Sequence, residues 1–470
     1  MKKKLLVLVL ALIMTLSLTS CETLMTYLPF LNDIMGGDDA AKIPENFDEL
    51  IAEMEEAMDG VKSYKIDGSA DLRLSVSGYD VIGVIKTEEI ADASNEQDPY
   101  KYQYTRFLME CSELDLLEEN EELVVYSDGI LYMRYKTDDI DIKNCAPTSY
   151  DRFIAWMESE NESPDVDFWN CANKEFSHLE DGTWTFRLSG YDQETVDKIF
   201  NSYNALDSLD YKVVDMTLYT VLDAEYRVTQ AKIGFIFEDK KTSNKVSKAG
   251  LQQFDFEFNF SDYDSVTRES VNSKEYNEFD DVLSIKQCEK KFNDIMNSES
   301  GSYLVNIKVT DKKSSSDTSV ISDESVDLEY GEDYDGYFCN LNITSGAKTQ
   351  KIKYSGGYIS VIQNGQYAGQ YYTEKDARAL VASCLSYLVF DPYSVIDVTS
   401  SNNIYHIDCR PGDEFILEHF GVSNLKLATQ GVTLFYLDGE IVDIRMTFKL
   451  TLENGEVITI NYSIKEKTEA

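Results

Sequence analysis

Phe254-Asp255-Phe256-Glu257-Phe258-Asn259-Phe260 is the stretch that decides how this chain folds. Four phenylalanines alternate with three polar residues, so a period of two puts every ring on one face and every polar group on the other. A strand of that kind belongs in an antiparallel sheet with one dry and one wet face. Upstream, the same period recurs over residues 66–76 and 79–90, about a turn at Ser77-Gly78. It continues over 100–111, and over 122–127 and 130–135 about a hairpin turn at Asp128-Gly129. Three more runs, 183–188, 212–221 and 226–238, lead up to the phenylalanines.

Helical spacing interrupts this pattern in two places. Asn46 with Glu49 three residues on is an N-cap pair, and Phe47, Leu50, Ile51, Met54 and Met58 recur on one face up to Gly60, so the spacing predicts a helix over 47–60. After Thr148, the residues Tyr150, Phe153, Ile154 and Met157 mark a short second helix.

Past residue 280 the order starts again. A helix carrying Val282, Ile285, Phe292, Ile295 and Met296 precedes Ser302-Tyr303, which answers Ser63-Tyr64 at an offset of 239 residues. Tyr354-Ser355-Gly356-Gly357 answers Tyr126-Ser127-Asp128-Gly129 at 228, and Cys339 answers Cys111 at the same 228. Thr373 to Asp376 answers Thr148 to Asp151 at 225, each as a helix cap, and Ile407 answers Phe186 at 221. Leu437-Asp438-Gly439-Glu440 answers Leu222-Asp223-Ala224-Glu225 at 215, and Ile458, Ile460, Tyr462 and Ile464 alternate as the phenylalanines do, at 204. Offsets that fall in order are what a tandem duplication with small deletions leaves behind. Domains are therefore expected at 46–262 and 281–470, joined by a linker at 263–280, with residues 312–325 as a loop inside the second. The expected class is α+β: two tandem repeats, each a curved antiparallel sheet packed on one long and one short helix.

The N-terminus has a different character. Lys2, Lys3 and Lys4 precede an apolar run over residues 5–18, of signal-peptide length. Leu18-Thr19-Ser20-Cys21 resembles the bacterial lipobox. The resemblance implies a signal peptide at 1–20, diacylation of the Cys21 sulfur, and a mature chain that starts at Cys21 and is anchored to the membrane. Residues 21–45 then form a tether, unusually apolar through Leu24, Met25, Tyr27, Leu28, Phe30 and Leu31. Loss of residues 1–20 leaves 40 cationic and 85 acidic side chains, a charge of −45. So acidic a chain is repelled by nucleic acid and by anionic headgroups, which excludes phosphate tracking and a polybasic membrane patch. Its seven cysteines beyond Cys21 are odd in number and irregularly spaced, so they give no disulfide framework and read as small buried residues.

Together, the lipobox and the order of elements resemble the lipoprotein-carrier and lipid-binding lipoprotein superfamily of half-barrels. In that superfamily a curved sheet wraps its helices around a cavity for acyl chains. The resemblance implies that the short-helix faces line an apolar site, with Phe153, Trp156 and Met157 in the first repeat and Leu380, Cys384 and Leu388 in the second.

Catalytic motifs are absent from the sequence. His178, His406 and His419 form no zinc spacing, and no nucleophile elbow, P-loop or dinucleotide fingerprint occurs. The acidic clusters at Asp138, Asp139 and Asp141 and at Glu332, Asp333 and Asp335 miss the EF-hand pattern. The expectation is a non-catalytic, extracytoplasmic lipoprotein without cofactor or metal that binds or carries an apolar ligand such as a lipid. The alternative is a structural or protein-interaction lipoprotein with filled cores.

Overall fold

The computed structural model describes residues 44–467 apart from 77–78, 96, 113–115, 161–168, 197–210, 240–250, 315–316, 364–365, 372 and 438. The expected signal peptide, Cys21 and nearly all of the expected tether, together with the turn expected at Ser77-Gly78, lie outside the described residues. The chain divides into two compact units, with the boundary between Asn277 and Glu278.

In the first unit, α1 (Phe47–Asp59) is followed by β1 (Ser63–Val76), β2 (Tyr79–Asp92), β3 (Tyr100–Cys111), β4 (Leu116–Ser127), β5 (Ile130–Lys136) and β6 (Asp141–Pro147). After α2 (Tyr150–Glu160) come β7 (Asn173–His178), β8 (Trp184–Ser189), β9 (Tyr211–Leu222), β10 (Val228–Asp239) and β11 (Leu251–Ser261), with a short β12 (Asn277–Glu278) at the boundary. In the second unit, α3 (Leu283–Asn297) precedes β13 (Gly301–Ser314), β14 (Asp317–Asp333), β15 (Gly336–Ser345), β16 (Lys348–Ser355), β17 (Tyr358–Gln363) and β18 (Gln366–Tyr371). Then follow α4 (Glu374–Leu385), β19 (Val395–Ser401), β20 (Ile404–Cys409), α5 (Asp413–Phe420), β21 (Leu425–Leu437), β22 (Glu440–Leu452) and β23 (Val457–Glu466).

This architecture corrects the expected α+β class. The described residues are mainly β, in one antiparallel sheet of 12 strands and another of 11, with few helices. Strands lie about 4.8 Å apart, so sheets of this size are roughly 50 Å wide. The longest described helix, α3, has 15 residues and extends only about 22 Å. Such helices cover part of a sheet, so the sheets are not packed on long helices as expected.

The two sheets share their strand order. One runs β6 to β1 and then β11 to β7, with β12 added beside β6; the other runs β18 to β13 and then β23 to β19. Their central registers also agree position by position. Ile66 stands opposite Phe260 and Glu89, and Val305 opposite Ile464 and Val326. Ala231 faces Phe258 as Met446 faces Tyr462. Cys111 and Cys339 are not counterparts, however, because Tyr354 faces Cys339 whereas Tyr126 faces Lys101.

The phenylalanine strand sits in the middle of the first sheet, and Phe254, Phe256, Phe258 and Phe260 are all buried in one cluster with Phe47, Leu50, Ile51, Met54 and Met58 of α1. Burial of this kind contributes about 1.5–3 kcal/mol per side chain. Opposite Thr87, β1 carries Gly68, because a Cβ there would come within 2.2 Å of Thr87 Oγ1 and 2.9 Å of the Phe258 ring. Helix starts follow local chemistry. Asn46 Oδ1 accepts from Glu49 N–H at 2.9 Å, and Thr373 and Asp376 form a reciprocal capping box on α4. On α2 it is Ser149, not Thr148, whose Oγ accepts from the Arg152 N–H, at 3.3 Å.

Of two segments expected to be irregular, one is built into the second sheet and the other packs on the first. Residues 312–325 continue a β13–β14 hairpin, paired as far as Ser314 with Asp317. Its polar run reads as a loop because most of the described side chains there are solvent-exposed or only half-buried. Of the linker expected at 263–280, residues 263–276 lie on the first sheet as a strap. Val266, Val271 and Tyr276 pack on a cluster of Ile90, Tyr100, Val125, Tyr132 and Cys145. Arg268 Nε bonds Asp92 Oδ2 at 2.8 Å and its Nη1 bonds Asp98 Oδ2 at 2.7 Å, while its guanidinium lies 5.4 Å from the Tyr100 ring centroid. Tyr100 OH donates to Glu269 O at 3.1 Å and accepts from Glu269 N–H at 3.0 Å, and Lys143 bonds Glu275 at 2.7 Å.

Candidate functional site

The residues expected to line an apolar site are placed as follows. On α2, Phe153, Trp156 and Met157 are buried, and the Phe153 ring stacks on Tyr126 at 5.1 Å and 15°. On α4, Cys384 is buried, as is Leu388 just beyond the helix, and Leu380 is half-buried. The carbonyl of Cys384 accepts from Tyr462 OH at 3.2 Å, which fixes the helix onto β23. Each trio thus sits within one unit, against that unit's own sheet.

Two other features were not anticipated. The first is a polar patch on the inner face of β2 and β3, where Thr87, Glu89, Lys101, Gln103 and Thr105 are all buried. Glu89 is fully enclosed; its Oε1 accepts from Lys101 Nζ at 2.6 Å and from Tyr64 OH at 2.8 Å, while its Oε2 has no hydrogen-bond partner among the described residues. The second unit places Val326 at the Glu89 register position and Cys339 opposite the tyrosine that answers Tyr126. The fold therefore does not need charges at these positions. A trace of the patch was readable in sequence, since a glutamate shares the inward period of Ile85 and Thr87.

The second feature is a depression of about 520 Å³ on the solvent-facing side of the second sheet. Its side chains come from five adjacent strands, which single-strand reading does not bring together: Asn306 and Lys308 on β13, Asp323 and Ser325 on β14, Thr344 on β15, Arg445 and Thr447 on β22, Asn461 and Ser463 on β23. Asn306 Nδ2 donates to Ser463 Oγ at 3.1 Å and Thr447 Oγ1 to Asn461 Oδ1 at 3.0 Å. Lys308 pairs with Asp323 at 2.8 Å, and Arg445 with Asp443 at 2.9 Å while its guanidinium lies over Phe435, 4.4 Å from the ring centroid.

The chemistry of other groups is quiet. The seven described cysteines are free thiols, and six of them are buried. Burial pushes the Cys339 thiol up to about 11 and Cys409 up to about 12, so neither is a ready nucleophile. Among the described residues no group of three or more His, Cys, Asp or Glu is arranged to hold a metal ion, and no helix is long and apolar enough to cross a membrane.

No family model matches the chain, and no curated protein matches it. Among solved structures, LprF from Mycobacterium bovis is similar over 39% of this chain and 92% of its own, at 10% identity and a TM-score of 0.23. A DUF1329 family protein from Desulfovibrio piger is similar over 49% of this chain and 95% of its own, at 10% identity and a TM-score of 0.17. The isotype 1 transferrin binding protein B from serogroup B Neisseria meningitidis is similar over 86% and 76%, at 7% identity and a TM-score of 0.13. Likenesses at these TM-scores assign neither fold nor function to the chain.

Proposed function

We propose that the protein is an extracytoplasmic lipoprotein, held to the membrane through acylated Cys21, that acts without catalysis by binding a partner on the solvent-facing side of its sheets. Burial of Phe153, Trp156, Met157, Cys384 and Leu388 within their own units carries this reading. An apolar guest such as a lipid would need those same faces, and here the sheets' own side chains, Tyr126 and Tyr462 among them, contact them. This favours the filled-core form of the lipoprotein over the lipid carrier. The outward surface, by contrast, offers a sizeable depression with hydrogen-bonding groups from five strands.

The anchor is tested by fractionation. Cys21→Ser removes the sulfur that would carry two acyl chains, which together give stable attachment where one gives only marginal binding. The variant is expected in the soluble fraction and the parent in the membrane fraction; retention of the variant on the membrane would contradict lipidation as the tether.

A further inference from the structure

We infer that the depression on the outer face of the second sheet is a binding site for a neutral, hydroxyl-rich ligand of the saccharide class. The inference rests on the proposal that the solvent-facing surface is the working one. It comes from comparing the two sheets at matched register positions.

In the first sheet, the corresponding outward positions are occupied largely by long side chains that bridge one another. Lys65 pairs with Glu88 at 2.7 Å, Lys232 with Asp255 at 3.1 Å, and Gln230 reaches Glu257 at 3.0 Å. The second sheet replaces Glu88 by Ser325, Glu257 by Asn461, Asn259 by Ser463 and Lys232 by Thr447, as the shared pairing across β1 and β13 and across β10 and β22 shows. Four shorter side chains on adjacent strands open the surface, while the longer Lys308 and Arg445, which stand at the positions of Ser69 and Gln230, form its rim. At about 520 Å³ the space has the size of a small-molecule site.

The ligand class follows from what those side chains can do. Amides and hydroxyls each donate and accept, so the floor matches a ligand whose own groups are both donors and acceptors. The Asn306–Ser463 and Thr447–Asn461 bonds leave one amide oxygen and one amide nitrogen free to face the ligand. Lys308 and Arg445 at the rim are balanced by Asp323 and Asp443, so the rim favours neither a cation nor an anion, while the chain's charge of −42 disfavours a polyanion. Apolar ligands gain little from such a floor. A neutral polyol satisfies all of these conditions, and sugars are its common form at a cell surface.

The test uses the full chain purified in detergent, with neutral oligosaccharides presented on an array and binding of the best one measured by calorimetry. Thr447→Lys with Asn461→Glu rebuilds the long side chains of the first sheet and fills the depression. Binding by the parent that falls at least tenfold in the double variant, with unfolding midpoints unchanged, is the expected result. Saccharide binding that survives the double variant would overturn the site. Absence of saccharide binding, together with a protein partner lost in the same variant, would overturn the ligand class while leaving the outward-binding proposal standing. No binding of either kind would overturn both.

Discussion

Lys101→Leu is expected to destabilise the first unit by about 3–5 kcal/mol, the usual cost of stranding a buried charge. Glu89 is wholly enclosed and the Lys101 side chain is 10% exposed, so the pair belongs to the buried regime and not to the weak surface one. Without the ammonium, Glu89 keeps only the Tyr64 hydroxyl as a partner for its Oε1. Adding Glu89→Val supplies the residue that the second unit has at that position, Val326, and removes the stranded charge. The double variant is expected to return to within about 1 kcal/mol of the parent, because an ion pair replaced by apolar side chains is often neutral or better. Urea unfolding followed by a probe in the first unit checks both. If the double variant is as unstable as the single one, the polar patch is part of what the first sheet needs to fold, and its correspondence with the apolar second sheet is wrong.

Detaching the strap is expected to have the next largest effect. Arg268→Ala removes two charge-assisted hydrogen bonds to carboxylates, each worth about 1.5–3 kcal/mol. Tyr276→Ala removes the ring that meets Tyr132 edge-on at 5.2 Å. Combined, the two should cost about 4 kcal/mol: about 3 for the hydrogen bonds, at the low end because the Arg268 and Asp98 side chains are 29% and 39% exposed, and about 1 for the aromatic pair. They should also open residues 263–278 to proteases and bare Tyr100, Val125 and Tyr132. A strap that stays protected, with an unchanged midpoint, would mean that these residues join the units without supporting either. Asp92 would feel the loss as well, since the Arg268 guanidinium is one of the groups holding its carboxyl below the ordinary carboxylate range against the opposing effect of burial.

How far the fold could be read from sequence depended on which interactions set each element. The phenylalanine alternation is local, and it identified β11 and the sidedness of its sheet. The offsets of 239, 215 and 204 are the same ones that relate β1 to β13, β10 to β22 and β11 to β23 in the paired registers. Cys111 and Cys339 matched in spacing alone, and pairing across strands separates them. Helices stand out in a sequence because amphipathic periodicity and caps are strong signals, whereas short polar strands such as β7 carry almost none. The balance therefore tilted toward α+β. The strap was missed because its polar residues are satisfied by partners far along the chain, as Arg268 is by Asp92 and Asp98, and the 312–325 hairpin because its described side chains are exposed or half-buried and carry no apolar alternation.

Site residues divided in the same way. Phe153, Trp156, Met157, Leu380, Cys384 and Leu388 were chosen because they form apolar helix faces, and an apolar helix face looks the same in sequence whether it meets a guest or its own sheet. Glu89 and Lys101 are 12 residues apart in the chain, and the depression draws on strands more than 100 residues apart, so neither could be assembled before the sheet order was known.

Native mass spectrometry of the protein purified from its own membrane tests most directly the claim that it works from its outer surface with closed cores. The expected spectrum shows the chain with its acylated Cys21 and no stoichiometric apolar guest. A lipid or other apolar molecule retained at one copy per unit or per chain would contradict that claim and return the α2 and α4 faces to the role of a binding cavity.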